Sequence, residues 1–437
     1  MTTETTSPTT AGAVDTSRLR KLQAVGILSG FSAGAWLGAA EAPTKLVNAG
    51  VSPMVVSLLM VAGVFLARWS LPALIRGTSQ IRKDVGAAPH LVVWGILAGC
   101  LWAVANTLTI FAIRDIGLSI AFPLWNLNSL LGIFWGVALF HELRAAGGRR
   151  WFGVGGGAVV MFIGATLLAV ASSAQTTPAS AMRGIAAAVA AGALWGTMYI
   201  PYRKAYLTGM NPLSFVAFFT IGELGMMSVL ALSYSGGASS LWHEIAIAKP
   251  ALFWLMLGGF VWVIGDVFQQ YAAKYVGISR GIPLSNTNQL WGLLWGLLVF
   301  GELHGQSGAT FAKVAGGSLL MAAGAAAIAL ASVSRDEHLR WQKAAEREVS
   351  RYGVAESYLR AGLEGRAVEE GGSKAQGRSL LDWALVGIAT AIFVGLAIEA
   401  RAPQIEMNWA AAGALSVAMV ALLAATGWVL WRTTKFE

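Results

Sequence analysis

The chain reads as an all-α polytopic membrane protein: a 5+5 inverted-repeat helical bundle with two extra C-terminal transmembrane helices. Three observations predict this class. The 437 residues are 56% hydrophobic and only 12% charged, where a soluble domain carries about 25% charged residues. Apolar runs of about 20 residues, enough to cross roughly 30 Å of hydrocarbon as a helix, recur along the whole length. Finally, residues 117–143 (GLSIAFPLWNLNSLLGIFWGVALFHEL) and 277–303 (GISRGIPLSNTNQLWGLLWGLLVFGEL) agree at 13 of 27 positions without a gap. Hydrophobic composition repeats Leu and Gly easily. It does not repeat Pro123/Pro283, Asn126/Asn286, Asn128/Asn288 and Glu142/Glu302 in register.

The expected spans are 22–40, 54–75, 91–112, 118–140, 152–172, 184–201, 212–233, 250–272, 281–300 and 311–331, followed by 380–399 and 409–431. Alternating polarity, the mark of barrel strands, is missing from these runs. Residues 1–21 form a polar cytoplasmic tail expected to be disordered. Residues 22–172 and 184–331 are two five-helix repeats. A charged, partly helical cytoplasmic segment (334–379) then leads to accessory spans within 380–437. With the N-terminus inside, 24 of the 31 Lys and Arg residues fall on the cytoplasmic side, nine of them within 334–379. That is the positive-inside bias. It places both termini in the cytoplasm and accounts for the net charge of +9 without nucleic acid.

The duplication reaches beyond the twin segments. A shift of 160 superimposes Trp94 on Trp254, Gly99 on Gly259, Trp102 on Trp262 and Asn106 on Asp266. GAWLGAAEAPTK (34–45) likewise has a counterpart in GALWGTMYIPYRK (192–204), which argues that the first span is a retained helix and not a cleaved signal. Five crossings per unit put the two copies in opposite orientations. Inverted repeats of this kind support alternating access around a midplane site. The single cysteine, Cys100, precludes an intramolecular disulfide.

The residues also carry a resemblance. The 5+5 body with a Glu closing each fourth helix (FHEL, FGEL) resembles the drug/metabolite transporter superfamily. The string from Trp102 through PLWNLN to Glu142, and its repeat from Asp266 through PLSNTNQLWGLLWG, is similar to the sugar-permease branch, the glucose/ribose porters and L-rhamnose–proton symporters. The resemblance covers about residues 22–331 and leaves the last hundred outside it. It implies a bacterial inner-membrane protein that transports sugar by symport.

Candidate site residues follow from polarity inside apolar spans, where polar groups are expensive and face the interior. On the eighth span Trp262, Asp266, Gln269 and Gln270 share a face; Trp102, Asn106 and Thr109 occupy the equivalent face of the third. The openings of the fourth and ninth spans add Trp125, Asn126, Asn128, Asn286, Asn288, Gln289 and Trp291. Amides exchange hydrogen bonds with hydroxyls and indole faces stack on sugar C–H groups. Proline at both openings makes local unwinding plausible. The competing reading has the asparagines bonding across packed helices or capping helix starts. Asp266 and Glu223 are the midspan carboxylates and the candidates for coupling a proton or sodium ion. Arg68 is expected to snorkel to the interface, with a salt bridge to Glu223 as the alternative. Glu41 is a gating or interfacial candidate, and Glu142 and Glu302 are structural caps or ion-pair partners.

Catalysis finds no support: the five histidines are scattered, no metal-binding spacing or P-loop occurs, and no cofactor is implied. The expected function is secondary transport of a small polar solute, most readily a sugar, coupled to an ion. The alternatives are export of drugs or metabolites, or a membrane scaffold with a cytoplasmic partner at 334–379.

Overall fold

The computed structural model describes residues 16–40, 51–116, 121, 124–144, 146–170, 178–301, 307–331, 333–364, 378–401 and 407–436. Glu41, Pro123, Glu302 and His304 lie outside them. The described residues are helical, without a strand. In chain order the helices are α1 (Thr16–Ala40), α2 (Pro53–Ile75), α3 (Thr78–Ala87), α4 (His90–Ile116), α5 (Leu127–Phe140), α6 (Gly148–Val170), α7 (Pro178–Leu207), α8 (Pro212–Tyr234), α9 (Ala238–Ile247), α10 (Leu252–Val276), α11 (Ile278–Ser285), α12 (Asn288–Leu298), α13 (Gly308–Leu330), α14 (Arg335–Tyr352), α15 (Glu356–Glu364), α16 (Leu380–Glu399) and α17 (Trp409–Thr434). Ten of these are long and apolar enough to cross a membrane: α1, α2, α4, α6, α7, α8, α10, α13, α16 and α17.

The expected continuous spans at 118–140 and 281–300 are corrected: both twin segments are interrupted. The second splits into α11 and α12 around Asn286 and Thr287. Pro283 contributes no N–H and its ring crowds the preceding turn. Ser285 Oγ donates to Ile282 O (2.7 Å) and Thr287 Oγ1 to Leu284 O (2.9 Å). Such local bonds compete with the helical ladder and end it here. In the first copy the turn falls at Asn126, and α5 begins one residue later. Two ten-residue helices, α3 and α9, were not expected from the sequence.

Helices from the two halves of the chain interleave. α1 packs along α10 as α7 packs along α4, and α2 crosses α10 as α8 crosses α4. These crossings are closest at glycine. A Cβ at Gly63 would overlap Met256 O and one at Gly259 would overlap Met60 O; Gly222 meets Ile96 O and Gly99 meets Phe219 O in the same way. Gly34 and Gly38 press α1 against the α11–α12 break, at Thr287 and Asn288. Gly192 and Gly196 press α7 against Trp125, Asn128 and Leu131 around the α5 start. Small residues that let backbones approach are how membrane helices gain contact where lipid removes the hydrophobic driving force. Corresponding glycines of the two copies therefore serve corresponding contacts.

The last hundred residues pack against the side of this bundle and one of its ends. α16 lies on α2 and α17 on α1, where Ser32 and Thr426 share a hydroxyl hydrogen bond of 2.7 Å. Arg378 donates to Leu74 O and Ile75 O, the free carbonyls at the end of α2. Asp382 accepts from Thr78 N, and Phe436 O accepts from Asn211 Nδ2 and Tyr271 Oη.

Candidate functional site

The breaks meet. Asn286 Nδ2 donates to Asn128 Oδ1 (3.1 Å) and to Ser129 Oγ (2.5 Å), joining the two twin segments by side chains. Beside this junction lies a cavity. Its polar wall is Asn126, Ser129, Asn286 and Gln289; its apolar wall is Leu130, Ala158, Met161, Phe162, Ala165, Pro283 and Met321, from α5, α6, α11 and α13. Asn126 Nδ2 and Asn288 Oδ1 are buried without a hydrogen-bond partner among the described residues. Unmet buried amide groups are uncommon in folded proteins and call for an explanation. Among the described residues that line the cavity none is charged.

A second polar centre is separate and ionic. Arg68 of α2 is fully buried and reaches both midspan carboxylates: Nη1 to Glu223 Oε2 at 2.6 Å, and Nη2 to Asp266 Oδ2 at 2.7 Å. Its guanidinium also lies 4.3 Å from the Phe219 ring centroid and 5.2 Å from that of Trp262. Gln270 Nε2 donates to Asp266 Oδ1 (2.8 Å), and Tyr206 Oη donates to Gln270 Oε1. The expectation that Arg68 snorkels is thus overturned. Two carboxylates on neighbouring helices supply charge-assisted bonds within the bundle, so the chain has no need to carry the charge to an interface. Counted formally, with every group ionised, two carboxylates and one guanidinium leave one negative charge in excess. Glu223 Oε1 has no hydrogen-bond partner among the described residues.

A third network caps the twin segments. Glu142, fully buried after α5, accepts from Ile278 N (3.3 Å) and Ser279 N (2.9 Å) at the start of α11 and pairs with Arg203 Nε at 2.6 Å. Its carboxylate occupies the space beside Gly277, whose φ of +84° and missing Cβ permit that approach. The placement makes Glu142 a helix N-terminal cap, where a negative charge is favoured.

The sequence-predicted residues therefore divide. Asn126, Asn286 and Gln289 line the cavity, and Asn128 is bonded to Asn286. Gln269 Nε2 donates to Ser285 Oγ (2.6 Å), bracing α10 against the break. Asp266, Glu223 and Gln270 form the ionic centre. Trp102 and Trp262, superimposed by the repeat, pack edge-on at 5.3 Å, and Trp125 packs on Trp195 at 5.9 Å. Trp291 sits against α1 beside Gly38. Asn106 Nδ2 donates to Ser57 Oγ (3.0 Å), and Thr109 Oγ1 donates to Asn106 O (2.7 Å). The third- and eighth-span faces thus lie in the ionic centre and in packing contacts, apart from the cavity lining. The sequence reading missed the apolar wall from α6 and α13, whose side chains look like ordinary lipid-span residues. It also missed Arg68 as the junction of both carboxylates, although a lone intramembrane cation beside two intramembrane acids was the available signal.

Comparison with known proteins adds independent information. Residues 219–350 match the family model described as "Sugar transport protein". That stretch holds Glu223, Asp266, the second twin segment and most of α14, so the similarity extends into the charged segment that the sequence reading had left outside. The "Putative sugar uptake protein" of Listeria innocua is 24% identical over 213 residues, 47% of this chain and 68% of the relative. The "Glucose uptake protein GlcU" of Staphylococcus xylosus is 22% identical over 214 residues, 48% of this chain and 69% of the relative. A sugar uptake protein of Streptococcus pyogenes serotype M1, named with the same qualifier as the Listeria protein, is 34% identical over 102 residues, 20% of this chain and 36% of the relative. On the family pattern of its second half, and on curated relatives named for sugar uptake, the chain resembles the sugar-permease branch of the drug/metabolite transporters.

Proposed function

We propose that this protein is a secondary sugar transporter, which takes a neutral polar solute at the junction of the twin segments and moves it by ion-coupled alternating access. The observation that carries the reading is the character of the cavity walls: amides and hydroxyls facing apolar side chains, no charge among the described lining residues, and an Asn126 Nδ2 with no partner among the described residues. At about 20 Å³ the cavity has room for about one water, so it widens to admit a sugar. Hydroxyls of a sugar satisfy both the donor and the acceptor of an amide, while its C–H face suits Met161, Phe162 and Met321. A charged solute would enter this cavity without a counter-charge, at high cost.

Alternating access is supported by the interleaved, glycine-matched packing of the two repeats and by helix breaks at corresponding places in both. Coupling falls to the ionic centre. Its excess negative charge is neutralised by one proton or one sodium ion, and Gln269–Ser285 links α10, which carries Asp266, to the break that borders the cavity. Asp266→Asn removes that excess and leaves Arg68 and Glu223 as a balanced pair, so the variant is expected to fold.

Purified protein in proteoliposomes tests the reading. The expected result is counterflow of a labelled monosaccharide in wild type and in Asp266→Asn, with accumulation driven by an ion gradient only in wild type. Gradient-driven accumulation that survives in Asp266→Asn sinks the coupling assignment. Failure of a monosaccharide panel to exchange in wild type sinks the sugar assignment.

A further inference from the structure

The segment after the ten-helix body does more than tether α16 and α17. Ser334 caps α14 by accepting from Glu337 N (3.1 Å), and this places Glu337 in the first turn. From there the Glu337 side chain enters the bundle and is fully buried. Its two oxygens take Arg280 Nη1 at 2.8 Å and Nη2 at 3.0 Å, and Oε1 also accepts from Leu143 N at 2.9 Å. Arg280 belongs to the second twin segment and Leu143 ends the first. One carboxylate therefore bonds both copies of the duplicated unit.

Neighbouring contacts reinforce the same joint. Arg280 Nε donates to Ala331 O (2.7 Å). Arg203, already paired with Glu142 over the start of α11, lies 4.0 Å above the Trp341 ring of α14. Gln23 Nε2 of α1 donates to Val333 O just ahead of α14 (2.7 Å). At the far end of the segment His90 stacks on Tyr352 at 3.8 Å, and Tyr358 Oη donates to Asp84 Oδ1 at 2.7 Å. A solvated tether would not bury a bidentate Arg–Glu pair. Ions are taken out of water only where geometry and further hydrogen bonds compensate.

We infer that α14 is a built-in latch: Glu337 holds the two twin segments together at this face of the bundle, and the cavity between them opens toward this face only after α14 withdraws. The joint is discrete, because a bidentate carboxylate–guanidinium pair is either made or broken. Release of α14 would leave Arg280 and Leu143 N without their acceptor until the segments part and water enters. The segment thereby sets how often one side of the transporter opens, and whatever binds the exposed face of α14 would alter that frequency. The consequence for transport rests on the alternating-access reading; the latch itself is a claim about this joint.

Hydrogen exchange of the full chain in nanodiscs, with no solute present, tests it. Two variants are compared with wild type: Glu337→Gln, and Trp341→Ala, which keeps every charged partner and decides the matter should Glu337→Gln not fold. In the variants, amides of Ile278–Ser285 and of Leu143 are expected to exchange more than about tenfold faster, since the buried pair now opens locally. Amides there that stay as slow as in wild type refute the latch. The sugar reading is untouched by either result, because no solute enters the measurement.

Discussion

At the scale of single residues, twin asparagines with the same sequence context have acquired different work. Asn286 spends its amide on Asn128 and Ser129, whereas the Nδ2 of its counterpart Asn126 is buried beside the cavity with no partner among the described residues. Asn286→Ala is expected to cost about 1–2 kcal/mol of stability, the usual loss when a buried bonded group is deleted. Asn126→Ala should leave unfolding within about 0.5 kcal/mol of wild type yet weaken solute binding, because the Nδ2 it removes has no partner among the described residues. Thermal unfolding, with and without monosaccharide, separates the two. Arg68 follows the opposite logic. Arg68→Ala strands two buried carboxylates, and a loss of about 3–5 kcal/mol is expected. Neutralising all three partners as Arg68→Met, Glu223→Gln and Asp266→Asn should recover most of it. If the triple variant unfolds as early as Arg68→Ala, the ion-pair account of the loss is wrong. The Arg68–Glu223 pair and an asparagine bond across packed helices were legible as alternatives, but the joining of both carboxylates by Arg68 was not. Arg68 stands 155 and 198 positions from its partners, and no local pattern announces a contact of that separation.

At the scale of helices, sequence and structure agree where a local cause exists. The spans are legible because about 20 apolar residues admit few alternatives. The break in the ninth span was foreshadowed by Pro283 and by the Ser and Thr around it, which carry their own competing bonds. The short helices α3 and α9 went unseen because ten residues give little periodicity to read against neighbouring loops. α14 was recognised as amphipathic, but its docking depends on Arg280 and Leu143, which come from other elements. One consequence of that docking concerns pH. Burial, with the Arg203 charge adding to it and Glu337 opposing it, depresses His338 from its ordinary 6.5 to about 4. The docked state thus takes up its proton later than the free helix does. Stability of the docked helix is complete above the free histidine value, falls as pH drops through 6.5, and levels off below about 4. The whole effect amounts to about 3 kcal/mol at most. Exchange of α14 amides should therefore quicken on acidification from pH 7 to 5, and His338→Phe should remove that dependence. An α14 whose exchange, corrected for intrinsic rate, is flat over this range would contradict the assignment.

At the scale of the whole molecule, the distribution of charge and the placement of the helices make one joint claim about orientation. Cytoplasmic segments inferred from the positive-inside bias hold 24 of 31 cations, and the described ones gather at one end. There α3 meets α8, α14 reaches α7 and α11, and Arg76 Nη1 donates to Lys435 O of the C-terminal turn. The opposite end carries α9 and the Lys249–Glu399 pair at 2.9 Å, which ties the start of α10 to the end of α16. A net positive flank resists translocation, so the α3–α14 end should face the cytoplasm. Two exposed positions read this directly in a Cys100→Ala background: Ser239 on α9 and Ser350 on α14. In intact cells an impermeant maleimide is expected to label Ser239→Cys and to leave Ser350→Cys unmodified until the membrane is opened. The reverse pattern would invert the topology and place the α14 joint outside the cell. Labelling of both positions in intact cells would mean that the two orientations coexist, and the charge argument would then fail for this chain.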